Sequence, residues 1–204
     1  MKHDIRRFKD LKVALLELQQ FILNGASLQT GRPIRNFGRL LPREILANWL
    51  ICAAVNFDRG NEDIFLATDP FGGDGLICEG QDGDVWPTEH VFVPALDGAS
   101  NSDAGEQILE KIRSKNSRGK AYASGKTLVV FVNAGDGHWH PNKLSKSLPD
   151  PFYFNSAWAV ALQGIEAGQY IYGVTKLDLS LGEAPIWRIR ISDQFDSWDV
   201  ERTQ

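Results

Sequence analysis

Two acidic residues, Asp74 and Glu89, lie on either side of Asp82-Gly83, a strong hairpin signal in this 204-residue chain. Carboxylates brought together across a hairpin can hold a divalent cation. The Asp-Gly dipeptide suits a two-residue type I′ turn, because both central positions need positive φ. With Asp82 and Gly83 at the turn centre, Leu76 pairs with Glu89 and Asp74 with Val91. Paired residues share a face and the face repeats every second residue, so Asp74, Leu76, Glu89 and Val91 point to one side. Asp74 and Glu89 become diagonal neighbours, about 7–8 Å apart at the backbone. That separation lets both reach one magnesium or manganese ion, whose oxygen ligands sit at ~2.0–2.1 Å for magnesium.

A second candidate cluster is Asp136-Gly-His138-Trp-His140, in which the His-x-His spacing could offer two imidazoles to zinc or another transition metal, with Asp136 as a third ligand. No His-Glu-x-x-His, nucleotide-binding glycine loop or local nucleophile signature accompanies it, which disfavours ATPases, dinucleotide enzymes and serine or cysteine hydrolases. Cys52 and Cys78 have neither zinc nor redox-pair spacing and read as buried, reduced thiols.

Hydrophobic periodicity supplies the elements that must position these residues. Residues 4–23 read as a helix ending at Asn24-Gly25, and 26–38 as a loop. Pro42 opens a second helix with Ile45, Leu46, Trp49, Leu50, Ala53 and Phe57 on one stripe, suited to packing on a sheet. Short apolar runs at 64–68, 75–79 and 88–94, separated by Asp, Gly and Pro clusters, read as a three-stranded meander. Asp103 to Glu106 resembles an acidic capping box, opening a helix to about Asn116 whose apolar face is Ile108, Leu109 and Ile112. Residues 127–133 form a near-continuous apolar run, as expected for a central strand buried on both faces. Downstream, 135–148 reads as loop, 155–163 as a short helix, and 170–177 and 186–191 as strands. The expectation is one α/β domain over 1–204, comprising an N-terminal helix and loop (1–42), a core (43–133) and a C-terminal extension of the sheet (134–204).

Composition fits a globular chain: 43% hydrophobic and 24% charged residues exclude collagen, coiled coil and low-complexity classes. No apolar run has membrane-span length and the charged N-terminus lacks a signal peptide, so the reading is cytoplasmic with no membrane partner. The net charge of −4 conceals an acidic stretch from Asp58 to Glu110 and a basic one from Lys111 to Lys126. The basic stretch could face phosphates, and Tyr122 within it could stack on a base. Trp86, Trp139, Phe152, Tyr153 and Phe154 are weaker stacking candidates.

The order helix, three-stranded meander, helix, strand over 43–133, with Asp74 opening the second strand and Glu89 in the third, resembles the PD-(D/E)XK nuclease superfamily. The resemblance implies a restriction-endonuclease-like core, with an extra N-terminal helix and C-terminal strands. It also implies magnesium- or manganese-dependent cleavage of nucleic acid. By it, Asp74 and Glu89 are the metal-binding acids and Glu44 the helix carboxylate that many members add. The family's lysine two residues after the second acid is replaced by Val91. Lys115, which helical angle sets within roughly 70° of the Ile108/Ile112 face, is the first substitute and Lys111 the second. As an exposed helix residue, Lys115 would change stability by no more than about 0.5 kcal/mol on truncation. The loss of the motif lysine also motivates an alternative, a non-catalytic module that binds nucleic acid or a protein partner on the same fold.

Overall fold

The computed structural model describes residues 8–69, 72–80, 83–95, 103–133 and 138–204. Its helices are α1 (Leu11–Leu23), α2 (Gly25–Thr30), α3 (Pro42–Arg59), α4 (Ala104–Asn116), α5 (Lys120–Ala123) and α6 (Pro141–Lys146). Its strands are β1 (Phe8–Lys9), β2 (Ile64–Ala67), β3 (Leu76–Glu79), β4 (Val85–Val93), β5 (Thr127–Val132), β6 (Ser156–Glu166), β7 (Gln169–Lys176), β8 (Ile186–Ile191) and β9 (Trp198–Arg202). The strands pair in chain order into one mixed sheet. β4, β5 and β6 are parallel and the remaining pairs antiparallel. Parallel neighbours require a crossover, and α4 with α5 serves β4–β5 while α6 serves β5–β6.

Alternation along the strands divides the core into two layers. Val129, Phe131, Trp158, Val160, Tyr172, Val174, Trp187 and Ile189 face α1 and α3, whereas Val93, Leu128, Val130, Val132, Ala157 and Ala159 face α4. Every residue of β5 is buried, as its unbroken apolar run predicts. The expected stripe on α3 is too modest, because Glu44 to Ala54 are all buried. The sheet curls around this helix, which touches β2, β3 and β5 to β9, and Trp49 meets Trp198 of the last strand edge-on at 5.1 Å.

Several sequence expectations give way to the backbone. Residues 156–166 form β6 instead of a short helix, since Ala157, Ala159 and Ala161 alternate with Trp158 and Val160 between two layers that a strand can serve at once. α1 begins at Leu11, where Asp10 accepts the Val13 N–H at 3.0 Å, and the preceding Phe8–Lys9 pair with β2. α2 and α6 occupy parts of the predicted loops, and β9 adds a strand with no strong apolar run of its own.

The hairpin also differs in register. Leu76 pairs with Pro87, two residues earlier than expected, and Glu79 donates to Asp84 O at 2.9 Å, so the loop spans four residues, 80–83. Gly80 has φ +56, and a Cβ on Gly83 would stand 2.0 Å from the Glu79 carbonyl oxygen, which explains why glycines bracket this loop. Asp82, the expected turn residue, lies outside the described residues. A slip of two preserves the facing of every side chain.

Asn56, buried near the end of α3, accepts the Ile64 N–H at 2.8 Å and donates to its carbonyl at 3.0 Å, substituting for a strand partner at the start of β2. Asn56→Ala would strand two backbone groups, and the expected loss is about 2–4 kcal/mol in urea denaturation. A loss below about 0.5 kcal/mol would mean that water replaces the clamp.

Candidate active site

Glu89 projects from β4 on the α4 side, where its strand neighbours Val91 and Val93 enter the second core layer. Lys115 follows Ile108 and Ile112 along the same helical stripe, and its ammonium donates to Glu89 Oε1. Lys126, just ahead of β5, lies 3.6 Å from Glu89 Oε2. Burial acts to raise the Glu89 pKa, but hydrogen bonds from Lys115 and Tyr122 and the charges of Lys115 and Lys126 prevail, leaving it below the ordinary value. Burial likewise opposes the Lys115 charge, and Glu89 outweighs it, so the lysine pKa is raised.

Tyr122 of α5 gathers cations beside this pair. Its hydroxyl receives Lys115 Nζ at 3.4 Å and Arg118 Nη1 at 3.0 Å, while Lys126 Nζ stands 4.2 Å from its ring centroid. An edge contact with Phe154, centroids 6.3 Å apart, fixes the ring from behind. Sequence spacing singled out Tyr122 for stacking; its contact with the acid–lysine pair was visible only through the fold.

Asp74 stands just before β3. Continuing the ladder past Leu76 and Pro87 sets it opposite Glu89 instead of diagonal to it. Its Oδ2 accepts the backbone N–H of His90 at 2.8 Å. Burial raises its pKa, the His90 N–H opposes this, and the Glu89 charge adds to the rise. Glu44 occupies the third position of α3 and its Oε2 accepts the Leu41 N–H at 2.8 Å, the glutamate half of a capping box; leucine has no oxygen to complete the other half. Burial, with Asp74 and Glu89 adding to it, lifts Glu44 to about 7 against the Leu41 hydrogen bond and the Arg43 charge. Glu44, Asp74 and Glu89 therefore share one electrostatic neighbourhood.

The Glu89 charge raises the pKa of Asp74 and of Glu44, and hard carboxylate oxygens so placed would suit a hard dication. Among the described residues no three His, Cys, Asp or Glu converge as a ready ligand set. A dication held by Asp74 and Glu89 would take its remaining ligands from water or phosphate, the usual pattern for magnesium.

Other candidates separate from this cluster. Lys111 is exposed on α4 with no ion pair among the described residues, so Lys115 is the lysine that reaches Glu89. His138 and His140 are exposed, and Asp136, their possible third ligand, lies outside the described residues. Trp86 packs on the first core layer, and Trp139, Phe152, Tyr153 and Phe154 on the second. Cys52 and Cys78 are both buried and free. A cavity of about 710 Å³ sits at the far end of α3 between Leu11, Phe57, Phe65 and Trp198. Its acids Asp10, Glu62 and Asp199 are exposed and lack the buried carboxylate–lysine arrangement found around Glu89.

Comparison with protein-family models, curated proteins and solved structures finds no match to this chain. No helix among the described residues is long and apolar enough to cross a membrane.

Proposed function

We propose that this chain is a metal-dependent nucleic-acid phosphodiesterase of the PD-(D/E)XK type, with its lysine relocated from the third strand to the following helix. The observation that carries the proposal is the ion pair between Lys115 and Glu89, formed across the cluster that also contains Asp74. The order α3, β2, β3, β4, α4, β5, with β4 and β5 parallel, supports a restriction-endonuclease-like core. Magnesium or manganese bound by Asp74 and Glu89 would supply a Lewis acid and an activated water. The Lys115 ammonium would orient that water or neutralise charge on the phosphate. Arg118 and Lys126, gathered around Tyr122, extend the positive field beyond the acids.

Nucleic acid is the proposed partner because Lys111, Arg113, Arg118 and Lys120 are cations, exposed or partly exposed, without a carboxylate partner among the described residues. Four phosphate contacts would weaken duplex binding on the order of 100-fold between about 50 and 200 mM salt. Arg118→Ala/Lys120→Ala is expected to reduce the slope of log K against log salt by about 2 in filter binding. Binding that ignores salt would remove nucleic acid from the proposal.

The reading is tested by melting wild type and Glu89→Gln with and without millimolar manganese, alongside a cleavage panel of supercoiled DNA, single-stranded DNA and RNA. Manganese should raise the wild-type Tm by ligand linkage and leave Glu89→Gln unchanged, with cleavage by wild type alone. Salt-dependent binding with no metal effect and no cleavage would instead identify a non-catalytic binding module.

A further inference from the structure

Behind Asp74, on the α3 side of β4, three buried polar side chains lie together: Asn48 at 0% exposure, Thr88 at 3% and His90 at 8%. Asn48 lies in the middle of the all-buried run of α3, where leucine or alanine would pack without needing partners. Its Nδ2 donates to the Asp74 carbonyl at 3.3 Å and to Thr88 Oγ1 at 3.2 Å. Thr88 Oγ1 also lies 3.2 Å from the Asp74 carbonyl and 3.0 Å from that of Gly75.

A carbonyl can only accept, so the Asp74 contact fixes which way the Asn48 amide points. Asn48 Oδ1 then faces His90 Nε2 at 3.1 Å, and His90 must carry its proton on Nε2. This assignment leaves His90 Nδ1 a bare acceptor, and that atom is buried without a partner among the described residues. The chain thus retains a polar cluster with one lone pair unsatisfied, an arrangement that packing alone would not favour.

Both ends of the cluster close on Asp74. Its carbonyl is held by Asn48 and Thr88, and its carboxylate by the backbone N–H of His90. Past Leu76 and Pro87 the β3–β4 backbone pairing adds the Thr88 N–H to the Gly75 carbonyl at 2.9 Å, and the Asp74 carbonyl is met by side chains instead. Gly75 leaves the room required: its φ is +114, and a Cβ there would stand 2.5 Å from Asn48 Nδ2.

We infer that Asn48 and His90 are positioning residues, which through their mutual hydrogen bond hold the Asp74 carboxylate on the side of β4 that bears Glu89. Its role toward a divalent cation rests on the nuclease reading, whereas the positioning itself is measurable without metal. Two variants break the bond from opposite ends, Asn48→Leu and His90→Phe, so the loss of one to misfolding leaves the other.

Amide hydrogen exchange is read by NMR in metal-free protein, and manganese affinity by electron paramagnetic resonance of the free ion. The amide of residue 90, which donates to Asp74, should exchange at least about tenfold faster in either variant, while the core amides of β5 keep their wild-type rates. Manganese affinity should fall by about 10- to 100-fold. Unchanged protection of amide 90 in a folded variant would overturn the inference, as would general loss of protection throughout β5, the mark of a cluster that only stabilises the fold. Faster exchange at amide 90 in the variants, together with a wild type that binds no manganese, would uphold the positioning and overturn the metal reading alone.

Discussion

Lys115→Met should lower metal-dependent cleavage on the order of 100- to 1000-fold, the usual effect of removing one preorganised charge from a reaction centre. The same variant should lose about 1–3 kcal/mol of stability, because it leaves Glu89 largely buried with Tyr122 and the more distant Lys126, at 3.6 Å, beside it. Methionine keeps most of the apolar stem, so the loss reports on the charge. The sequence-based figure of at most about 0.5 kcal/mol assumes an exposed lysine, whereas the side chains of Lys115 and Glu89 are 18% and 14% exposed. A double-mutant cycle with Glu89→Gln separates the two effects: the double variant should recover part of the stability and none of the cleavage. Urea denaturation and plasmid nicking measure both. Cleavage retained by Lys115→Met would remove the relocated lysine from the account.

Glu44→Gln should stabilise the protein near neutral pH and leave it unaltered in acid. In the folded chain Glu44 titrates at about 7 against an ordinary 4.5, so between those pH values the folded state keeps a proton that the unfolded state releases. Stability tied to Glu44 is therefore present below pH 4.5 and lost as pH rises through 7. Glutamine cannot ionise, and its amide oxygen can still accept the Leu41 N–H. The difference in unfolding free energy, variant minus wild type, should be near zero at pH 4.5 and about 2–3 kcal/mol by pH 7.5.

His90 acts in the opposite sense. Burial, opposed by the Glu89 charge and aided by those of Arg43 and Lys115, lowers it from 6.5 to about 3, so its contribution is complete above pH 6.5 and lost toward pH 3. With the Glu44 term removed, the stability of Glu44→Gln should rise more steeply than wild type from pH 4.5 to 6.5. Parallel curves for the two proteins would show that Glu44 is ionised throughout this range.

Much of the strand and helix order could be read because local chemistry and tertiary packing agree. Thr127 to Val132 is apolar at every position and is buried at every position. Pro42 opens α3, and Asp103 caps α4 through the Gly105 N–H at 2.8 Å. The reading broke down where a segment serves two layers. Residues 156–166 carry apolar side chains on both faces, and without a clear period a short buried strand and a short buried helix look alike.

The site divides in the same way. Asp74 and Glu89 share a face under the expected and the observed register alike, because the slip equals one period of the strand, and the spacing of Lys115 from Ile108 and Ile112 is a helical property that needs no tertiary information. Nothing local in the sequence marks Asn48, Thr88 and His90 as partners: the hydrogen bond from Asn48 to Thr88 spans 40 positions and that to His90 spans 42. A lone asparagine inside an apolar helical run was the available signal, and its partner could be found only after α3 had been placed on β4.

The central claim is that Asp74, Glu89 and Lys115 form one cleavage centre. Its most direct test is hydrolysis of a labelled nucleic acid by wild type and Asp74→Asn, purified in parallel and assayed in manganese and in EDTA. The account predicts cleavage by wild type in manganese only, and none by Asp74→Asn in either condition. Equal cleavage by both proteins, cleavage that persists in EDTA, or none by wild type on any DNA or RNA would contradict it.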